Sequence, residues 1–479
     1  MKIFNTLASE ASAIPISKSL LEDMNIRQFL LEFFPNPESL IVCDEAIIDE
    51  RNKLSIALLQ NPKLATALEE FYHNCHNMLQ ATTAKDQDPL HIINSMATLN
   101  TFYNCAWAVI KTIEATPQLP TAFETIMGFV KNLLATQLPP NFTTAWESFA
   151  SGVERPLSTT YKINFSSDLR LTTIALKSIN KESYTEKGIF SRISKSKNPM
   201  EIQHLLSLSP GAYDDRSLKS AGNKFGDTTS QLRFAKTANE IVATQAGILK
   251  LQISTLERNL TTQMRSFLTD LQLLMGLYNC AKAIGGTFAK ICPMESHTLT
   301  IQNMAHPMLT SAIKNNLSNN GEIILLGGEN QSGKTTFLRT VGVVQILFQM
   351  GLPVPGTDAS ISPASGIFSV FSREEDNSLN HGKLGNEFQE LSQVIHSIDS
   401  NGLFLGNEPI TGTSPKENLL LSKEALCILK SKGLRGIWVS HIPGLFKDVQ
   451  MLNSIPFGSM FVTGQCNQGV FYAGIFTKA

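Results

Sequence analysis

The spacing of apolar residues divides the 479-residue chain into regions that differ in their predicted secondary structure. Residues 1–150 carry Leu, Ile, Phe and Met at steps of three and four, as in SLLEDMNIRQFLLEFF, which predicts helices separated by prolines. Residues 151–228 change to short runs such as TYKINF and LRLTTIAL, which predict strands. From residue 296 onward, strand patterns alternate with helix patterns, which is typical of an α/β domain with a mainly parallel sheet.

Between these regions, residues 229–284 contain no proline and carry one continuous apolar seam. The seam alternates steps of three and four, which predicts a single long helix. At about 1.5 Å per residue, such a helix would span roughly 75 Å, which is longer than one compact domain needs. We therefore predict a lever or strut, followed by a junction that ends near residue 295.

The charge balance limits how this chain could bind a nucleic acid. Lys plus Arg number 40 and Asp plus Glu number 41, so overall charge does not favour nucleic-acid coating, and any DNA contact would have to be local. The segment 187–197 is the candidate, with Lys187, Arg192, Lys195 and Lys197 beside Phe190. It is either a phosphate contact or a solvated loop, and the sequence leaves both open.

The cysteines and apolar runs indicate where the protein resides. The seven cysteines form no CxxC pairs, which favours free thiols in the cytoplasm. No uncharged apolar stretch reaches roughly 18 residues and no signal peptide is apparent, so we expect no membrane segment. The HNCH sequence at His73 to His76 lacks further ligands at zinc-site spacing and predicts ordinary helix residues.

A phosphate-binding motif stands at the start of the α/β region. The sequence GEIILLGGENQSGKTTFLRTVGVVQ places an apolar strand (Ile323 to Leu326) before Gly328-x4-Gly333-Lys334-Thr335 and an apolar helix after it. This order is that of a P-loop, whose backbone N–H groups and helix N-terminus bind phosphates. Lys334 would reach the β- and γ-phosphates and the Thr335 hydroxyl would ligate Mg²⁺, so ATP and Mg²⁺ are the predicted ligands.

A second strand pattern, LFLGNE, lies about 70 residues further on, and its end should approach the same phosphates as a Walker B strand does. Asn407 occupies a position where a carboxylate would help to hold Mg²⁺, and its neutral amide is a weaker partner for a hard cation. Glu408 keeps a carboxylate that could orient or deprotonate an attacking water. The predicted site thus retains its base and loses one metal-associated charge.

Several of these motifs resemble the ATPase domain of the MutS family, the DNA mismatch-repair branch of the ABC-type ATPases. The P-loop segment through GLPVP, the stretch SGIFSVFSREEDNSLNHGK, the pair in NEPITGTS, the strand IWVSHIPGL and the opening MAHPML carry the resemblance. It implies that His441 senses the γ-phosphate, and it places Asn330 in the loop and Arg339 on the helix. It also implies a lever helix beginning near Arg233 and a DNA-touching clamp within 151–228.

The predicted fold is therefore multidomain: a helical core or lever region (1–150), a small clamp-like or connector region (151–228), a long lever helix with its junction (229–295), and a C-terminal α/β P-loop NTPase domain of ABC type (296–479). The predicted catalytic residues are Glu408 and His441. The predicted nucleotide contacts are Gly328, Asn330, Gly333, Lys334, Thr335 and Thr336, and the predicted metal contacts are Thr335 and Asn407.

The chain also departs from the family. No domain with a Phe-x-Glu wedge fits ahead of the helices, so we expect no mismatch reading of that kind. The signature segment corresponds to GKLGNEFQEL, with Gly385 near the family's serine position and Glu390 as its acid, which argues against activation by a partner subunit. Without the family's closing segment or an extra dimerisation module, a homodimer is expected to form through the ATPase domains when nucleotide is bound.

Two functions remain open. The first is a nucleotide-gated DNA-binding ATPase whose hydrolysis is slow or dependent on a partner. The alternative is a hydrolysis-deficient nucleotide-binding scaffold without a role on DNA. A salt-dependent DNA affinity would separate them, because phosphate contacts weaken steeply as salt rises. A P-loop kinase or GTPase is disfavoured, since the NEPITGTS and VSH elements in this order suit an ABC-type site.

Overall fold

The computed structural model describes residues 13–81, 89–135, 158–165, 171–180, 258–265, 267–372, 383–454 and 456–473. Contacts divide the chain into two compact units. One consists of residues 1–65, 118–122 and 270–479, and the other of residues 66–117 and 123–269. Residues 1–65 therefore share a unit with the C-terminal α/β region. Within the described ranges, no helix is both long and apolar enough to cross a membrane.

The N-terminal region is helical, as its periodicity predicts. Pro62 and Pro89 each occupy the first position of a helix, where a missing N–H costs nothing. The Asp44 carboxylate caps another helix by accepting a hydrogen bond of 2.9 Å from the Ala46 amide. The helices are Leu20–Asp23, Arg27–Leu31, Glu45–Gln60, Pro62–Ala81, Pro89–Ala115 and Thr121–Ala135. His73 and His76 lie within the fourth of these.

The unit of residues 66–117 and 123–269 has an aromatic core. The Phe267 ring stacks on Phe129 with a centroid distance of 4.5 Å and lies 6.1 Å from Phe71. Phe71 in turn lies 5.5 Å from Phe102. Phe267 belongs to the predicted lever helix, of which residues 258–265 and 267–284 are helical. The beginning of that prediction, residues 229–257, lies outside the described residues.

A β-hairpin in the same unit confirms the two strand patterns of the 151–228 region. Strand β1 (Ser158–Phe165) pairs antiparallel with β2 (Leu171–Asn180). The basic segment 187–197 lies outside the described residues, so its two interpretations both stand.

The C-terminal region contains the predicted, mainly parallel sheet. Its strand order is β12-β11-β6-β10-β9-β8, and β12 alone runs antiparallel to its neighbour. β6, β8 and β10 are buried along their whole length, which explains why most of their residues are apolar. The strands are β6 (Ile323–Gly327), β8 (Ile367–Phe371), β9 (Leu403–Asn407), β10 (Arg435–Val439), β11 (Phe461–Asn467) and β12 (Val470–Ala473). The helices of this region are Lys334–Gln349, Lys383–Ser397, Pro415–Ser431, Pro443–Lys447 and Val449–Asn453.

A second sheet of four strands is joined to the first by a buried arginine. The sheet has the order β3-β7-β4-β5, formed by Lys290–Ile291, Thr357–Ile361, Thr298–Met304 and Asn315–Asn320. Arg435, at the start of β10, donates hydrogen bonds to the carbonyls of Thr298 at 2.9 Å and Ser362 at 2.7 Å. Burial lowers the pKa of this guanidinium to about 10, and it remains charged at neutral pH.

The outer edge of β8 is covered by residues 13–24, which we call the N-terminal strap. Ile16 forms a parallel bridge with Ile367, and Ile367 donates its amide to the Pro15 carbonyl at 3.2 Å. The Ser17 hydroxyl contacts both backbone groups of Ser369, accepting from the amide at 2.9 Å and lying 3.1 Å from the carbonyl. The strap therefore occupies an edge that would otherwise expose unpaired backbone groups.

The strap continues onto the helix Lys334–Gln349. Arg339 donates from Nε to the Asp23 carbonyl at 2.8 Å, and the Asp23 carboxylate accepts from the Ser369 hydroxyl at 2.7 Å. Met24 is fully buried and is the nearest neighbour of Gly342, whose missing side chain makes room for its sulfur. The strap thereby links the edge strand of the sheet to one face of this helix.

His306, in the predicted His-Pro segment, supports the same strap. Its Nε2 lies 3.0 Å from the Met24 carbonyl, and its Nδ1 accepts the Met308 amide at 3.3 Å. These partners require a neutral ring with its proton on Nε2. Burial lowers the pKa of His306; the hydrogen bond to Met24 opposes this shift, and the nearby Arg339 adds to it.

Candidate functional site

The loop from Gly328 to Gly333 connects β6 to the helix Lys334–Gln349, which is the strand, loop and helix order read from the sequence. Gly328 and Gly333 have φ angles of 137° and 99°, and Gln331 has 65°. A Cβ on Gly328 would lie 2.5 Å from the Cys466 carbonyl oxygen. The glycines are therefore needed both for the curl of the loop and for its close packing on β11.

Lys334 is buried at the start of the helix, with 6% of its surface exposed. Its Nζ donates to the carbonyls of Gly328 at 2.8 Å and Glu329 at 2.7 Å. The ammonium thus stays over the loop, where the sequence predicts phosphates. Gly333 is the N-cap residue of this helix and has no side chain, so it offers no side-chain acceptor to the first amides of the helix.

Thr335 and Asn407 contact each other directly. The Thr335 hydroxyl donates to the Asn407 amide oxygen at 3.1 Å. Asn407 is the last residue of β9, so the carboxyl end of that strand reaches the first turn of the P-loop helix. The sequence predicts this approach for a Walker B strand, and the two residues predicted to serve a metal present their oxygens side by side.

Glu408 and His441 also come together. Glu408 has a left-handed φ of 51°, a conformation that costs a non-glycine residue about 1–2 kcal/mol. Its amide donates to the Val439 carbonyl at 3.1 Å, and its carboxylate lies 3.2 Å from His441 Nδ1. The side chains are 28% and 57% exposed, respectively, so the pair faces solvent at the end of the sheet.

The other residues predicted from the sequence lie in the loop, in the first turn of its helix and on the helix Lys383–Ser397. Asn330 and Thr336 are both exposed, one in the loop and one in the first turn of the helix. Gly385 and Glu390 lie on the helix Lys383–Ser397. Residues 373–382, which contain the beginning of the predicted signature segment, lie outside the described part of the chain.

One acidic residue that contacts this region, Glu387, was not named from the sequence. Glu387 is buried and accepts hydrogen bonds from the amides of Thr411 at 2.8 Å and Gly412 at 2.9 Å, and from the Thr411 hydroxyl. The sequence interpretation named Glu390 as the acid of this segment and did not consider Glu387, which contacts the loop after Glu408. A signal was present, because Glu387 shares its helical face with the buried Leu391 and Val394.

The hairpin of β11 and β12 is a second missed component. Its turn residue Gly469 donates from its amide to the Ser332 carbonyl at 2.8 Å, and a Cβ on Gly333 would lie 2.8 Å from the Gly469 Cα. Phe471 of β12 stacks on Phe337 of the P-loop helix, with ring centroids 4.2 Å apart. The C-terminal hairpin therefore packs against one side of the loop Gly328–Gly333.

A parallel sheet with a glycine loop between a buried strand and a helix is the architecture of nucleotide-binding P-loop domains. Residues 324–476 match the family model of MutS domain V, so this part of the chain is similar to proteins of the MutS family. Domain V is the ATPase domain of that family, so the resemblance read from the motifs is confirmed.

Individual relatives match the same part of the chain. A DNA mismatch repair protein MutS of Granulibacter bethesdensis is 29% identical over 170 residues, covering 33% of this chain and 18% of the relative. An endonuclease MutS2 of Streptococcus thermophilus is 27% identical over 154 residues, covering 32% and 20%. Another endonuclease MutS2, from Thermus thermophilus, is 27% identical over 189 residues, covering 39% and 25%. The chain therefore spans between 18% and 25% of the length of these relatives.

Proposed function

We propose that this protein binds ATP at the loop Gly328–Gly333 and uses it to gate an interaction with DNA. The observation that carries the proposal is the meeting of the P-loop helix with the end of β9, through the 3.1 Å hydrogen bond between Thr335 and Asn407. The first turn of this helix and the strand end that precedes Glu408, which are distant in sequence, thus lie side by side. The family of residues 324–476 supports the same function.

The loop has the properties that a triphosphate needs. Uncapped amides at the helix N-terminus and the Lys334 ammonium supply hydrogen-bond donors and positive charge. The Ser332 hydroxyl is buried and has no hydrogen-bond partner within the part of the chain that the structure describes. A phosphate oxygen is the kind of acceptor that would satisfy it, since buried donors are normally paired.

The residues around Thr335 also fit Mg²⁺. The Thr335 hydroxyl and the Asn407 amide supply oxygen ligands, which this cation prefers. When bound, Mg²⁺ would neutralise charge on the β- and γ-phosphates. Because the amide of Asn407 is uncharged, it would hold the cation more weakly than a carboxylate, and we propose slow or partner-dependent hydrolysis for this reason.

Glu408 is the proposed general base. Its carboxylate would accept a proton from the attacking water, and the contact with His441 holds one carboxylate oxygen in place. His441 is 57% exposed and can turn toward a phosphate without disturbing the core. We propose that it reports the γ-phosphate in this way.

DNA is the proposed partner because the relatives are a DNA mismatch repair protein and endonucleases. Segment 187–197 is the proposed backbone contact, and a homodimer formed through the ATPase domains with ATP bound is the proposed assembly. All seven cysteines are free thiols, which supports a cytoplasmic location.

Nucleotide binding is tested by calorimetry on the wild type and on Lys334→Ala. The variant loses the ammonium over the loop, so its ATP affinity should fall at least about tenfold, as expected for one charge-assisted contact of about 1.5–3 kcal/mol. Lys416→Ala removes an exposed lysine from another helix and should bind as the wild type does. Equal affinities in all three proteins would remove the P-loop from the proposal.

Turnover and DNA binding are tested together. ATP hydrolysis is measured with Mg²⁺, alone and with duplex, branched or single-stranded DNA, using Glu408→Gln as the blank. Turnover above the blank that rises with one DNA form, together with a DNA affinity that falls steeply with salt, supports the DNA-coupled ATPase. ATP binding without turnover or DNA affinity favours the scaffold alternative, to which the neutral Asn407 points. Asn407→Asp should raise turnover if the missing carboxylate limits it.

A further inference from the structure

The loop that follows Glu408 is held by side chains from two helices. Glu387, on the helix Lys383–Ser397, receives the Thr411 and Gly412 amides and the Thr411 hydroxyl. Asn418, on the helix Pro415–Ser431, donates from Nδ2 to the Ile410 carbonyl. Three consecutive residues of the loop are thus fixed by partners outside it, and Glu387 supplies most of the hydrogen bonds.

The same hydrogen bonds extend back to the strand that carries the site. The Thr411 hydroxyl lies 3.0 Å from the Ser372 hydroxyl, and the Ser372 amide donates to the Asn407 carbonyl at 3.2 Å. Glu387 is therefore connected through Thr411 and Ser372 to the residue before Glu408. Glu387 is thus linked to the chain on both sides of Glu408, directly to Thr411 and Gly412 and indirectly to Asn407, while Glu387 itself is buried.

Glu408 needs such support because of its backbone. A residue with a side chain keeps a left-handed φ only when the surroundings determine it. Upstream, the Glu408 amide is fixed by the Val439 carbonyl, and downstream the loop is fixed by Glu387. If Glu387 lost its charge, two amides and a hydroxyl would lose their strongest acceptor, and the loop could relax toward an ordinary conformation.

We propose that Glu387 is a positioning residue for Glu408. It keeps the loop 408–414 in the conformation that directs the Glu408 carboxylate toward His441 and the P-loop, and it does not itself contact the nucleotide. The expected effect of Glu387 on hydrolysis rests on the proposed function. The effect of Glu387 on the loop can be measured without nucleotide.

The main variant is Glu387→Gln, which keeps the size of the side chain and replaces one acceptor oxygen by a donor. Hydrogen–deuterium exchange of the peptide that contains residues 408–414, in nucleotide-free protein, should become about tenfold faster. ATP affinity, measured by calorimetry, should stay within about twofold, because the P-loop amides and Lys334 are unchanged. Turnover should fall about tenfold or more at unchanged KM, because the proposed base is no longer held.

Two further variants complete the test. Glu424→Gln removes an exposed carboxylate from the neighbouring helix and should leave exchange, affinity and turnover at wild-type values. Thr411→Val keeps the shape of the loop and removes only its hydroxyl donor. It should speed exchange less than Glu387→Gln does, and it serves in place of that variant if the latter does not fold.

The outcomes separate this inference from the proposed function. Unchanged exchange of the 408–414 peptide in Glu387→Gln, or in Thr411→Val if that variant replaces it, overturns the inference whatever the nucleotide data show. Faster exchange with wild-type turnover overturns the role in positioning the base. Faster exchange in a protein that binds no ATP retains the loop-holding role and removes the proposed function instead.

Discussion

Gly342→Ala is a sensitive test of how the N-terminal strap packs on the P-loop helix. A Cβ at this position would lie 2.1 Å from the Met24 sulfur and 3.0 Å from a methyl group of Leu405. Replacing a glycine inside a helix by alanine normally stabilises a protein by about 1 kcal/mol. Overpacking a filled core normally costs about 1–3 kcal/mol. With a contact this short the upper end applies, and we expect a net loss of about 1–2 kcal/mol.

The sign should reverse when Met24 is shortened. Met24→Ala alone removes a fully buried side chain and should cost about 2–5 kcal/mol. In that background the alanine at position 342 loses its shortest contact and keeps only the Leu405 methyl at 3.0 Å, so it should stabilise the protein by up to about 1 kcal/mol. The double-mutant cycle therefore predicts a coupling energy of about 2–3 kcal/mol between the two positions.

The assay is urea unfolding followed by tryptophan fluorescence. Trp438 is buried in the six-stranded sheet and stacks on Phe404, so it reports on the unit that contains the strap. Replacing Trp107 and Trp146 by phenylalanine in every variant isolates its signal. An unchanged slope with denaturant would show that the variants differ in stability alone.

A control for helix propensity is Gly128→Ala, followed by helical circular dichroism because Gly128 lies in the unit on which Trp438 does not report. Gly128 lies in the helix Thr121–Ala135, and a Cβ there would meet nothing within 4 Å. This substitution should stabilise its helix by about 1 kcal/mol, which measures helix propensity without a clash. If Gly342→Ala has the same sign with Met24 present and with Met24 shortened, the packing of the strap on this helix is refuted.

Three further expectations concern the loop, the strap and the sheet junction. Gly328→Ala would place a Cβ 2.5 Å from a carbonyl oxygen, so this variant should show no ATP binding in calorimetry. Gly433 also has a positive φ, but its surroundings are open. Gly433→Ala should therefore bind ATP normally and lose only about 1 kcal/mol of stability. Folding lowers the pKa of His306, so its contribution to the free energy of unfolding should be fully present above the unfolded pKa of about 6.5 and should decrease as the pH falls below it. In urea unfolding at a series of pH values, His306→Gln should weaken this decrease. Arg435→Met should cost about 1.5–3 kcal/mol in urea unfolding, since it removes two hydrogen bonds from a buried charged donor, although the Thr298 and Ser362 carbonyls keep the Ser362 amide and Gln345 Nε2 as donors.

Each of these has an outcome that would contradict it. Gly328→Ala binding ATP as well as Gly433→Ala would mean that the loop tolerates a side chain and differs from the geometry described. A pH dependence identical in wild type and His306→Gln would assign the decline to other groups. A stability change below about 0.5 kcal/mol in Arg435→Met, which is the size of ordinary surface substitutions, would show that the two carbonyls gain nothing from the guanidinium beyond the donors they keep.

Local patterns predicted much of the candidate site. The strand, loop and helix around Gly328 and Gly333 follow from a continuous stretch of sequence, and so does the strand that ends at Asn407. That these two elements meet also follows, because the carboxyl ends of parallel strands share one edge of a sheet. His441 was named only through the family resemblance, and its Nδ1 lies 3.2 Å from the Glu408 carboxylate.

What escaped prediction depends on contacts between distant residues. The helical face of Glu387 could be predicted from Leu391 and Val394, but its partners Thr411 and Gly412 lie 24 and 25 residues away and are brought to it only by the fold. The strap pairs Ser17 with Ser369, and nothing in the sequence around either serine indicates a partner 352 residues away. Helical periodicity described the strap only as part of a separate helical region.

The pairing of Ser17 with Ser369 has a consequence for synthesis on the ribosome. The edge strand β8 is made 352 residues after the segment that covers it. At about 5–20 residues per second, translation of that interval takes roughly 20 to 70 s. During most of this time the buried Met24 lacks the helix Lys334–Gln349 against which it packs, and the strap lacks the edge strand that it covers. The nascent chain should therefore be a client for chaperones that shield apolar segments until its last third has been made.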